Sequence, residues 1–157
     1  ALYGYSQASM DQALAFVRQL DQTARKEIIS ALLDQRGKFD APLRALEHAT
    51  FSFEACMDQG AYFEVKRHRM MTQSPQPLTA NLGYAVPRLI SQAGFEAPYH
   101  AAMQAAQDAF EALAQWNPDV AAYVVPNAFN RRVLMTLNLR QLYHTSSLAR
   151  ALYEPVH

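Results

Sequence analysis

Apolar residues in the first third of the chain recur at helical spacing. Ala13, Leu14, Val17 and Leu20 fall on one face of a helix expected over Asp11 to Leu20. A second helix is expected from Asp21 as its N-cap, with Ile28, Ile29, Leu32 and Leu33 on one stripe and Gly37 placed to end it. Ala41-Pro42 breaks the pattern, and Leu43 to His48 reads as a short helical turn. The period then changes. Phe51-Ser52-Phe53-Glu54-Ala55-Cys56 alternates large apolar with small or polar residues, which predicts a strand with one buried face. Asp58-Gln59-Gly60 reads as a turn, and Ala61 to Arg69 as a helix with Tyr62, Val65 and Arg69 on one side. Ser74-Pro75-Gln76-Pro77 is expected to be irregular, because its prolines lack donors and fix the backbone.

Pro98 suits the first turn of a long helix through Trp116, with Ala102, Ala106, Ala109, Phe110 and Leu113 on its inner stripe. Val124-Val125-Pro126 is a short apolar stop. Arg131 to Leu137 alternates Arg132, Leu134 and Thr136 against Val133, Met135 and Leu137, a second strand. Asn138 then opens a terminal helix with Leu142 and Leu148 facing inward. Helices outnumber strands, and the strands lie far apart in sequence. The expected fold class is α+β: a small, mainly antiparallel sheet packed with several helices.

At 157 residues the chain reads as a single domain, able to bury roughly 68–70% of its unfolded surface. It starts without a methionine and ends soon after a helical pattern, which suggests a piece cut from something longer. Fourteen basic residues balance fourteen acidic ones, which argues against a general nucleic-acid or membrane-surface binder. No apolar run approaches the ~20 residues of a membrane helix. The lone cysteine, Cys56, has no internal disulfide partner, so a reducing, cytoplasmic setting is expected.

Chemistry concentrates at Arg67-His68-Arg69. Guanidinium forks hold phosphates bidentately, and a histidine between them can move a proton near neutral pH. Cys56, in a predicted strand, reads as a small buried hydrophobe and Met70-Met71 as core filler. His100 and His157 have no evident partners in sequence. No His, Cys and carboxylate spacing suggests a metal site, and the five glycines are too scattered for a phosphate loop.

Three blocks resemble the flavin-dependent thymidylate synthase family. Glu47-His48-Ala49-Thr50-Phe51-Ser52-Phe53 is similar to the family's E-H-x-x-F-T-F strand. Arg67-His68-Arg69 matches the start of its R-H-R-x7-S signature, at the family's distance from the first block. Tyr123-Val124-Val125-Pro126-Asn127 and Thr136-Leu137-Asn138-Leu139-Arg140-Gln141-Leu142 resemble the I-V-L-P and T-V-N-A-R-S-L segments, with unchanged spacing. Tyr84-Ala85-Val86-Pro87 also looks like a family segment. In that family FAD takes hydride from NADPH, methylenetetrahydrofolate supplies a carbon, and dUMP becomes dTMP.

The resemblance implies cofactor contacts from Arg67, His68, Arg69, Asn138, Arg140, His144 and His48, and a substrate contact from Arg150, one place from a family arginine. Ser74, in the loop after the arginines, is a candidate substrate contact through its hydroxyl, though an ordinary Ser-Pro-x-Pro turn is the favoured reading. It assigns no catalytic residue. It implies a homo-oligomer, dimer or tetramer, or a second repeat of the same protein as partner. The nucleotide side departs from the pattern. Pro77 stands at the signature's serine, Pro75 at a glutamate, and Thr79, Ala122 and Ala149 where the family has arginines. Three missing charge-assisted hydrogen bonds correspond to roughly 4–9 kcal/mol, about a thousandfold or more in affinity. The expectation is therefore an FAD-binding domain with degraded dUMP recognition; the alternative is a non-catalytic domain serving assembly or regulation.

Overall fold

The computed structural model describes residues 1–34, 36, 37 and 40–153, with side chains as far as Ser146. The chain forms two compact units, one of residues 1–51 and 138–157, the other of residues 52–137. Among the described residues the architecture is α+β, as expected, with a three-stranded sheet in which two strands match the alternating patterns and the third was not expected.

In the first unit, helix α1 (Met10–Gln19) begins at Ser9, whose hydroxyl accepts from Gln12 N–H while the Gln12 side chain accepts from Ser9 N–H. This reciprocal capping box satisfies two donors that the first turn would otherwise leave open. Helix α2 (Gln22–Leu33) starts from Asp21, the expected cap, whose carboxylate accepts from Ala24 N–H at 2.7 Å. It ends at Leu33 rather than at Gly37, with Arg36 Nε donating to the Leu33 carbonyl at 3.1 Å. A 3₁₀ turn over Arg44–His48 occupies the expected short helical segment. Helix α7 (Leu139–Tyr153) packs on that turn. No described residue of this unit is fully buried. Leu142 is half-buried, and Leu148 lies outside the described side chains.

The second unit carries the core. Its sheet has the order β1 (Thr50–Asp58), β3 (Asn130–Asn138), β2 (Thr72–Pro75), with the ends of β1 and β3 running into the first unit. β2 runs antiparallel to β3 in the register Thr72 opposite Thr136 and Pro75 opposite Val133. Ser52 Oγ and Thr136 Oγ1 share a hydrogen bond of 2.7 Å, and Gln59 N–H donates to the Phe129 carbonyl, so β1 is antiparallel too. β3 follows its alternation closely: Arg131, Val133, Met135 and Leu137 are buried while Arg132 and Leu134 are exposed.

Helices α3 (Gln59–Val65), α4 (Arg88–Gln92), α5 (Glu96–Trp116) and α6 (Pro118–Ala121) complete the unit. Met103 and Phe110 of α5 pack with Ala80, Ala121 and Phe129. Tyr84 and Tyr99 pack against this cluster, and Tyr84 meets Phe129 edge-on at 5.4 Å.

Several expectations fail for physical reasons. β1 is a strand, yet Phe51 and Phe53 are 47% and 39% exposed and Cys56 is exposed. Alternation identifies the two faces of a strand, but the cover of either face must come from elements distant in sequence, which the period does not encode. Asp58-Gln59-Gly60 is not a free turn: Asp58 caps α3, its carboxylate accepting from Ala61 N–H at 2.8 Å. Ser74 and Pro75 lie in β2, because an edge strand tolerates proline where no ladder donor is needed. α5 buries the stripe of Met103 and Phe110, whereas Ala102 and Ala109 face solvent. Met71 is buried, but Met70 is 76% exposed. His100 has a partner, sharing a hydrogen bond of 2.7 Å with the Tyr84 hydroxyl.

Candidate functional site

The basic tripeptide follows the last turn of α3 instead of lying within a helix. Arg67 N–H donates to the Glu64 carbonyl at 3.2 Å and His68 N–H to the Val65 carbonyl at 3.0 Å, closing the helix. Gln73 of β2 then ties this end to the sheet: its Nε2 donates to the carbonyls of Val65 at 3.3 Å and His68 at 3.2 Å. The other end of α3 is fixed by Gln59 and Gly60, whose N–H groups donate to the carbonyls of Phe129 and Asn127. The arginines thus leave a braced support.

A helix C-terminus carries the negative end of the dipole, which favours cations and repels anions. Any attraction for an anion here would therefore have to come from the side chains. Arg67 pairs with Glu64 at 3.0 Å in a solvated contact, with side chains 73% and 57% exposed. Arg69 is exposed and has no ion pair among the described residues. His68 is half-buried between them. Ser74 lies in the same unit, exposed on β2 opposite Leu134.

The other predicted residues lie in the first unit. Asn138 caps α7 reciprocally: its Oδ1 accepts from Gln141 N–H at 2.9 Å, and Gln141 Oε1 accepts from Asn138 N–H at 2.8 Å. Arg140 is also engaged, with Nη1 2.5 Å from Glu47 Oε1 and Nε donating to the Pro42 carbonyl at 3.0 Å. Arg44 reaches the second Glu47 oxygen at 3.3 Å. The hydrogen bond from Arg140, then that from Arg44, holds the Glu47 carboxyl below its ordinary pKa of 4.5.

His48, at the end of the 3₁₀ turn, and His144, on α7, are both exposed. The side chain of Arg150 lies outside the described residues. An apolar groove of about 860 Å³ runs past Tyr5, Leu14, Val17 and Leu32, with Glu47 and His48 among its lining residues. Sequence reasoning missed Gln73 and Arg131. For Arg131 a signal existed, since strand parity puts it on the face of Val133 and Met135.

These features define an α+β protein whose Arg67-His68-Arg69 run follows the end of a helix tied to the sheet. The chain belongs to the family described as thymidylate synthase complementing protein (Thy1), whose model matches residues 2–154. The resemblance carried by the three motif blocks is borne out. A UPF0159 protein of Chlamydia muridarum is 34% identical over 143 residues, covering 90% of this chain and 27% of the relative. A UPF0159 protein of Chlamydia pneumoniae is 30% identical over the same shares. A flavin-dependent thymidylate synthase of Geobacter sulfurreducens is 29% identical over 150 residues, 89% of this chain and 61% of the relative. The chain therefore spans about a quarter of the length of the two chlamydial relatives and less than two thirds of the third. Among the described residues no helix is long and apolar enough to cross a membrane.

Proposed function

We propose that this chain is the flavin-binding domain of a cytoplasmic thymidylate synthase-like protein, with recognition of dUMP weakened. Arg67 and Arg69 hold the anionic part of FAD, and His68 lies between them. The observation that carries this reading is the braced α3 end, which presents Arg69 without a counter-ion among the described residues and Arg67 in an exposed, competable pair. Such guanidinium groups fit a diphosphate. Asn138 and Arg140 act mainly on their own surroundings, one capping α7 and the other paired with Glu47. They and the two histidines, His48 and His144, contribute by orienting the adjoining segments. FAD supplies the redox chemistry when bound; NADPH and methylenetetrahydrofolate belong to the reading only where the family activity persists.

The partner is a second copy of this chain or a further repeat of a longer protein, which supplies nucleotide-binding arginines in place of those replaced here by Thr79 and Ala122. The excess length of the chlamydial relatives supports the second arrangement. Separate titrations of the purified protein with FAD and dUMP test the proposal. A flavin absorbance band and quenching of added FAD, abolished when both Arg67 and Arg69 become alanine, are expected. A colourless protein that takes up no FAD would replace this reading by the non-catalytic one, which is favoured by Pro75 and Pro77 and by the engagement of Arg140.

A further inference from the structure

β1 and β2 flank β3, so among the described residues each has an outer edge that no strand covers. The two edges are built differently. β2 is four residues long, and the bond from Gln76 N–H to the Arg132 carbonyl shows that its even-numbered residues face β3. Pro75 therefore stands where an N–H would point outward, and the missing donor blocks a further strand. β1 has nine residues and no proline. Leu139 N–H donates to the Ala49 carbonyl and Gln59 N–H to the Phe129 carbonyl, so the odd-numbered residues of β1 face β3. Both bonds and the Ser52–Thr136 contact fit one register, which leaves no room for a bulge.

Ser52, Glu54 and Cys56 consequently aim their N–H and C=O groups at the outer edge, and all three residues are exposed. Among the described residues none of these groups bonds to backbone elsewhere. Short length, proline, bulges and charge are the usual protections of such an edge. Here charge alone is present, as Glu54, and it is already paired with Arg132 at 3.4 Å. The inward side of the sheet is also unfinished at this edge. Met135 is 4% exposed, while Phe53, directly opposite it on β1, is 39% exposed.

We propose that β1 pairs antiparallel with β1 of a second copy of this chain, joining two sheets into one of six strands. One register suits both the backbone and the side chains. With Ser52 opposite Glu54 of the second copy, the outward groups of each strand bond to those of the other. Phe53 then meets its own counterpart across the two-fold axis in a non-hydrogen-bonded pair, where side chains come closest. The second Phe53 continues the row that Met135 and Phe53 begin, and gives each ring the cover it lacks. A register that set Glu54 against Glu54 would oppose like charges. The proposal rests on the second-copy partner of the reading above and is independent of the flavin.

Glu54→Pro tests it, because the β1–β3 ladder uses only odd-numbered residues and the substitution removes an outward donor. Sedimentation velocity of the full chain over a concentration series is expected to show a dimer. Glu54→Pro should weaken it roughly 5- to 150-fold, through the two hydrogen bonds lost per dimer. Glu54→Gln, which keeps the N–H, should dimerise as the wild type does. In a Cys56→Ser background, Phe53→Cys should give a disulfide-linked dimer on mild oxidation. The native Cys56 should not, since this register sets the two copies of it about 20 Å apart along the ladder. If Glu54→Pro fails to fold, the cross-link decides. A wild type that stays monomeric at every concentration would overturn the proposal. So would a dimer that Glu54→Pro leaves intact and Phe53→Cys fails to trap, although a second copy would then remain the partner through another surface. A dimer that behaves as expected but quenches no FAD would reject the flavin reading and leave this one standing.

Discussion

Glu64→Gln should tighten FAD binding. In the free protein Arg67 is paired with Glu64 at 3.0 Å, one helical turn away, and both side chains are mostly exposed. An exposed pair of this kind is worth about 0.2–1 kcal/mol, and a ligand phosphate must compete with it. Removing the carboxylate frees the guanidinium without touching the brace from Gln73. The gain is about 1.5- to 5-fold in Kd. Among the described residues Arg69 has no such competitor, so Arg69→Ala should lose the full charge-assisted contact, about 1.5–3 kcal/mol or roughly 10- to 150-fold. Arg67→Ala should cost less than Arg69→Ala, by the energy of the pair it also abolishes. Quenching of FAD fluorescence at two salt concentrations measures all three, with the differences shrinking at high salt. Unchanged affinity in Glu64→Gln together with unchanged affinity in Arg69→Ala would refute the argument.

Phe129→Ala should lower stability by about 3–5 kcal/mol in urea unfolding, since Phe129 is 0% exposed and packs among Met103, Phe110 and Tyr84. Asn138→Ala should cost about 0.5–2 kcal/mol and reduce helical circular dichroism, because it opens the reciprocal cap of α7. Arg140 and Arg44 depress the Glu47 carboxyl below 4.5, so its ion pairs stabilise the fold above that pH and the benefit disappears as pH falls through the lowered value. Melting temperatures of wild type and Glu47→Gln should therefore differ near neutrality and converge in acid.

Local chemistry made much of this legible in sequence. Asp21 announced α2, Pro98 the start of α5, and strict alternation from Arg131 to Leu137 the central strand, because capping and pleat parity are properties of a few adjacent residues. What covers a face is not local. Phe51 and Phe53 had the right period for a buried side, yet both are exposed. Asp58 was ambiguous for a related reason: the same residue type opens a turn and caps a helix. At the candidate site, the arginines were visible as residues, but their brace was not. Gln73 reaches carbonyls five and eight positions away, and Arg131 bonds to a backbone oxygen fifty-five positions distant. No periodicity encodes such links.

The lack of fully buried residues among those described in the unit formed by residues 1–51 and 138–157 has a calorimetric consequence. The rise in heat capacity on melting, and sensitivity to denaturant, both scale with the apolar area newly wetted. Loosening of α1 and α2 should thus give a shallow early drift in a scan, with little excess heat, ahead of the steep step belonging to the Phe129 cluster.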